Sequence, residues 1–207
     1  ILRRTIMGYM GDVKTKTFID DNASSATFVA AAARPTSTFT LAASSFGTNT
    51  GRKITATTSG SGDGSKTVTI VGTDVNGDAL TEVITLPGSA TTTAGTTAFF
   101  LTITSATVSA QPAANVSLGI TADVAGGVFA GRTRVRQANV GSGGAIGNVD
   151  FRNSGTAGTS LITLRTQSTA GDISTVNIPQ DGVLFDSGAY ITFTETSCNA
   201  VTVYFDG

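Results

Sequence analysis

Lys66-Thr-Val-Thr-Ile-Val-Gly-Thr73, Asp74-Val-Asn-Gly-Asp78 and Leu80-Thr-Glu-Val-Ile-Thr-Leu86 follow one another almost without interruption. Both outer runs alternate, which places Val68 and Ile70 on one face of an extended strand. Asn-Gly between alternating runs is the strongest short-range hairpin signal, because a type I′ turn needs positive φ at both central residues. Residues 66–86 are therefore predicted to form an antiparallel hairpin turning at Asn76-Gly77, and the fold is predicted to be all-β.

The pattern continues on both sides of the hairpin. Upstream lie Thr38-Phe-Thr-Leu41 and Lys53-Ile-Thr-Ala-Thr57, and downstream lie Phe99-Phe-Leu-Thr-Ile-Thr104 and Ala114-Asn-Val-Ser-Leu-Gly-Ile120. Short strands at regular spacing predict a small antiparallel β-sandwich over residues 27–125. Asp123-Val-Ala-Gly-Gly127 is expected to break the chain. A second sandwich or jelly-roll-like unit is then expected over 128–207, with strands at 132–140, 147–151, 160–165, 173–178, 182–185, 190–194 and 200–205. Residues 1–26 show no clear period. They are expected to be an arm that docks on a neighbouring subunit, or else a frayed terminus.

Composition agrees with two compact β units. The chain has 207 residues, of which 40% are hydrophobic and 13% charged, so it is longer than a usual single domain and too apolar for a disordered one. Helix formers are scarce, with Glu only at positions 82 and 195. The net charge of −1 does not supply the basic surface that general nucleic-acid binding requires. The longest apolar stretch, Phe28 to Ala33, is far short of the roughly 18 residues of a membrane span. Ile1-Leu-Arg-Arg-Thr-Ile6 lacks the apolar core of a secretory signal. A lone cysteine, Cys198, excludes an internal disulfide framework.

Catalytic chemistry finds little to work with. The chain has no His, which removes the usual base of Ser and Cys hydrolases and the commonest zinc ligand. Cys198 is read as a packed thiol rather than a nucleophile. Gly141-Ser-Gly-Gly144 lacks the Lys-Ser/Thr of a phosphate loop. Paired carboxylates alone could cleave a glycoside, but the carboxylates here are mostly Asp at apparent turns and Trp is absent. Asp74, Asn76 and Asp78 open like a calcium loop, yet Gly77 stands at the fourth position and Thr85 at the twelfth. No enzyme, cofactor or metal is expected.

Arg132, Arg134 and Arg136 are spaced to share one face of a strand. They are read either as a solvated face or charge-protected edge strand, or as a cationic stripe that docks an acidic partner.

Gly72-Thr-Asp-Val-Asn-Gly77, Thr81-Glu-Val-Ile84 and the aromatic run from Phe99 to Ser105 resemble a β module of tailed-bacteriophage virion proteins. Gly147 to Phe151, Gly158-Thr-Ser-Leu-Ile-Thr-Leu164, Ile178 to Phe185, Gly188 to Thr194 and Val201-Thr-Val-Tyr-Phe205 resemble a second such module. The resemblance implies a virion structural protein without catalytic residues. It implies capsid or neck and tail proteins as partners, and a homo-oligomer, with a trimer suggested by decoration of capsid three-fold positions. A head decoration (cement) role is the first expectation, and a neck, tail or fibre component is the alternative. A cellular carbohydrate-binding or adhesive module is the third, and the absence of Trp weighs against it. Arg3, Arg4, Arg132, Arg134 and Arg136 are the candidate partner contacts. No nucleic acid or membrane is expected.

Overall fold

A computed structural model describes residues 12–89, 93–178 and 181–207. The described chain is all-β, with two antiparallel sheets packed together. Its fifteen strands are β1 (Lys14–Ile19), β2 (Ser25–Ala33), β3 (Gly51–Thr58), β4 (Thr67–Asp74), β5 (Ala79–Thr85), β6 (Thr93–Gly95), β7 (Phe100–Val108), β8 (Val116–Phe129), β9 (Thr133–Ser142), β10 (Asn148–Asn153), β11 (Ser160–Arg165), β12 (Ile173–Asn177), β13 (Val183–Phe185), β14 (Ala189–Thr194) and β15 (Cys198–Asp206). The larger sheet runs β11-β10-β14-β8-β3-β7-β4-β5, with β2 also on β8 and β6 on β3. The smaller runs β1-β15-β9-β12, with β13 also on β9.

The predicted hairpin forms as β4 and β5, in register from Thr67 against Thr85 to Thr73 against Ala79. Its turn differs from the type I′ expected. Gly77 has φ of 92°, but Asn76 is not among the residues with positive φ. The cause is Asp74, whose carboxylate accepts the amides of Asn76 at 2.8 Å and Asp78 at 3.0 Å. An Asx-type bond of this kind folds the loop on itself and leaves only the glycine left-handed.

Strands of the second unit lie where alternation put them, to within two residues at each end. Three expectations need correction. Thr38 to Leu41 is not a strand, and only Thr38 makes an isolated bridge, to Thr107. Of the N-terminal arm expected over 1–26, residues 1–11 lie outside the described residues, and the described part is tied into the sheets: β1 pairs along its whole length with β15, and Ser25 begins β2. The boundary between 125 and 128 falls inside β8, the longest strand of the fold.

That strand joins two cores. Val116, Leu118 and Ile120 pack with β3, β4, β5 and β7 around Ile54, Ile70, Ile84 and Phe100. Farther along, Val124 and Val128 join Phe151 of the large sheet in packing against Phe18, Phe185, Val201 and Val203 of the small one. Gly126 and Gly127 interrupt nothing. A Cβ at Gly126 would stand 2.4 Å from the Phe18 ring, and one at Gly127 would stand 2.6 Å from Asn76 Oδ1. Glycine inside a strand here permits close approach of neighbouring elements.

Candidate functional site

Arg134 and Arg136 lie on β9, and Arg132 immediately precedes it; β9 is flanked by β15 on one side and by β12 and β13 on the other. The edge-strand reading therefore fails, because β9 is interior to its sheet. Val135, Ala138 and Val140 are buried in the core, the β9–β15 register shifts at Arg136, opposite Tyr204 and Phe205, and Arg134 and Arg136 are partly exposed. Two of the three are answered by carboxylates. Arg136 contacts Asp206 at 2.5 Å, and this bond raises its pKa further above the ordinary value. Arg132 is 69% exposed and stands 3.6 Å from Asp186. Arg134 has no ion pair among the described residues and faces Leu184 and Asp206 across the ladder. Arg3 and Arg4 lie outside the described residues.

A different arginine is far more deeply set. Arg52, at the start of β3, is fully buried. It lies between Val124, its cross-strand neighbour in one core, and Ile54 in the other. The β3–β8 register shifts between Arg52 and Ile54, so Thr121, Ala122 and Asp123 stand opposite Lys53 alone. Such a bulge pulls carbonyls off the ladder. Arg52 takes up one of them, donating from one terminal nitrogen to the Thr121 carbonyl at 2.6 Å. Its other terminal nitrogen donates to Asp20, to the Asn22 carbonyl at 2.5 Å and to Glu195 at 3.0 Å.

These contacts reach both halves of the chain. Asp20 follows β1 of the small sheet, and Glu195 follows β14 of the large one. Burial pushes the Asp20 carboxyl above its ordinary pKa despite Arg52. Burial also opposes ionisation of Glu195, but bonds from Ser24 and the nearby Arg52 outweigh it and hold Glu195 below its ordinary value. The segment between β1 and β2 is fastened further by Asn22, which donates to the Phe46 carbonyl at 2.9 Å. Sequence reasoning passed over this cluster. The available signal was parity: Arg52 shares its face with Ile54 and Ala56, both fully buried, so alternation alone puts a charge in the core.

A second unforeseen feature is a groove of about 560 Å³ on the outer face of the large sheet. It crosses β10, β14, β8 and β3, four consecutive strands. Thr192, Thr194, Asp123 and Lys53 form its floor, with Phe99 on one bank and Thr156 on the other. Beside it the hairpin tip closes over the second half of the chain. Val75 packs with Ala125 and Tyr190, and Asn76 donates to the Tyr190 hydroxyl at 3.3 Å.

Cys198 is buried in the second core, and burial pushes its thiol up to about 12. Among the described residues no group of three or more His, Cys, Asp or Glu side chains is arranged to hold a metal ion. No family model, curated protein or solved structure matches this chain.

Proposed function

We propose that this chain is a non-catalytic structural component of a tailed-phage virion, working as a head decoration (cement) protein in a closed homo-oligomer, with three-fold symmetry as the arrangement proposed. The observation that carries the proposal is the set of open sheet edges. Among the described residues, β5 and β11 end the main path of the large sheet, β2 and β6 each pair with one strand of it, and β1 and the β12/β13 side end the small one. Val83 on β5, Leu161 on β11 and Ile173 on β12 are exposed aliphatic residues, 56%, 43% and 74% respectively. Unpaired edges with apolar side chains invite pairing, and a closed ring of subunits covers them without runaway assembly.

Further support comes from how the carboxylates are used. Asp63 is fully buried and accepts from the Ala113 amide at 2.6 Å, the Ala114 amide at 3.2 Å and Lys66 at 2.7 Å. Glu82 accepts from the Thr97 amide at 2.6 Å and the Ala98 amide at 3.1 Å. Asp74 closes the β4–β5 turn. Carboxylates engaged by backbone amides hold loops in place, which suits a scaffold.

The proposal is tested by adding purified protein to particles that lack it. Saturable binding with one oligomer per capsid three-fold position is expected, together with greater resistance of the particle to heat. Replacing Arg132 and Arg134 with Glu should weaken binding, and wild-type binding should fall as salt rises if the stripe docks an acidic surface. A monomer that never associates with particles would defeat the proposal, and density confined to the neck or tail would move the protein there.

A further inference from the structure

We infer that the groove across β10, β14, β8 and β3 is a binding site for a neutral oligosaccharide. Charge comes first. The groove holds two cations and two carboxylates, and they are paired with each other: Lys53 with Asp123 at 3.6 Å, and Arg152 with Asp150 at 3.0 Å. A self-compensated surface offers no net field to a phosphate, a nucleic acid or a charged peptide. What it offers is a dense alternation of donors and acceptors, and a sugar hydroxyl is both.

The polar groups are also held in position. Arg152 donates from Nε to Thr192 Oγ1 at 2.9 Å, and from a terminal nitrogen to the Gly158 carbonyl at 3.0 Å. Asp150 accepts from Thr163 at 2.6 Å as well as from Arg152. Because Arg152 already fills an acceptor position on Thr192, the hydroxyl hydrogen of Thr192 is left to donate into the groove. Next to it, the wider Lys53–Asp123 contact involves side chains 30% and 53% exposed. An ammonium and a carboxylate so loosely joined can each turn to a ligand hydroxyl.

The apolar component is Phe99, partly buried on the bank, with the Lys53 ammonium 4.9 Å from its ring centre. A partly exposed lysine over an aromatic ring can give way to the C–H face of a pyranose. The volume lies within the range of small-ligand sites and suits a few sugar units. An extended peptide is a poorer occupant, since all four strands beneath the groove already have partners on both sides, leaving no edge to extend. The site goes beyond decoration of a particle, because it faces away from both cores and gives the protein a means of holding a glycan surface.

The test titrates isotope-labelled protein with cellohexaose, maltohexaose, chitohexaose and laminarihexaose. Inorganic phosphate and a heparin hexasaccharide serve as charged comparators. At least one neutral probe should shift the amides of Lys53, Phe99, Asp123 and Thr192, with an affinity that does not change across a salt series. Asp123→Ala and Thr192→Val should each weaken binding about tenfold, as expected for loss of one hydrogen bond involving a charged or fixed group, with an unchanged melting temperature. Absence of shifts at these amides with every neutral probe would overturn the inference. So would variants that bind like the parent, or binding confined to the charged comparators and abolished by salt.

Discussion

Arg52 and the Arg132/Arg134/Arg136 stripe are two uses of the same side chain in one molecule. The stripe is conspicuous in the sequence, yet Arg132 is 69% exposed and its partner Asp186 is 71% exposed. Arg52 is inconspicuous and fully buried, with bonds to four groups from three other segments of the chain. Water and salt screen the first kind of charge, so its contribution to stability is small. The second kind sits where an unanswered charge is expensive, and removing one partner strands the others. Position relative to the cores, rather than density along the sequence, decides what a charge does here.

The comparison can be broken most easily at Arg52. Arg52→Met keeps the volume but leaves Asp20 and Glu195 without their cation, and denaturant unfolding should show a loss of about 3–5 kcal/mol. A smaller effect is expected at Asp63, where Ala strands the Ala113 and Ala114 amides. That substitution should cost about 1–3 kcal/mol by the same measurement. At the exposed end of the series, Arg132→Ala should leave the unfolding midpoint unchanged within error, and Arg136→Ala, which leaves the 19% exposed Asp206 without its cation, should cost less than the change at Asp63. A loss at Arg136 as large as that at Arg52 would erase the distinction.

Acidity sharpens the same contrast. Burial opposes ionisation of Asp63, but Lys66 and the Ala113 and Ala114 amides outweigh it, so Asp63, like Glu195, is held below its ordinary value. Their stabilising contribution is full above the unfolded carboxylate range of about 4 and drains away as pH falls through their lower folded values. Asp20 is pushed up, so its contribution has the opposite sign and is lost as pH rises through its folded value. Stability should therefore fall on acidification below about pH 4, and Asp63→Asn should flatten that fall. An acid limb of unchanged steepness in the variant would remove Asp63 from the account. Cys198 provides an internal probe: with its thiol at about 12 and fully buried, it should resist thiol reagents at neutral pH until the second core opens. Rapid labelling of the native protein would contradict that burial.

Much of the fold was legible in the sequence because local alternation carries it. The β4–β5 hairpin and the strands from β9 to β15 are short, regular and bounded by turn residues. What escaped depends on partners distant in sequence. Lys14 to Ile19 reads as aperiodic until β15 is placed beside it. Gly126 and Gly127 read as a break until Phe18 and Asn76 are seen pressing on them. The groove was invisible for a similar reason, since its floor comes from four strands whose order in the sheet differs from their order in the chain. Arg52 alone had a local signal, the parity it shares with Ile54.

The central claim is that β8 and the buried Arg52 cluster fasten two cores into one cooperative unit rather than two domains. Native-state hydrogen exchange tests it most directly, comparing the amide of Leu118 in the first core with those of Val140 and Val201 in the second. The account predicts the same opening free energy for all three, within about 1 kcal/mol, in the parent protein, and a split between the halves in Arg52→Met. Opening energies in the parent that differ between the two cores by several kcal/mol would contradict it.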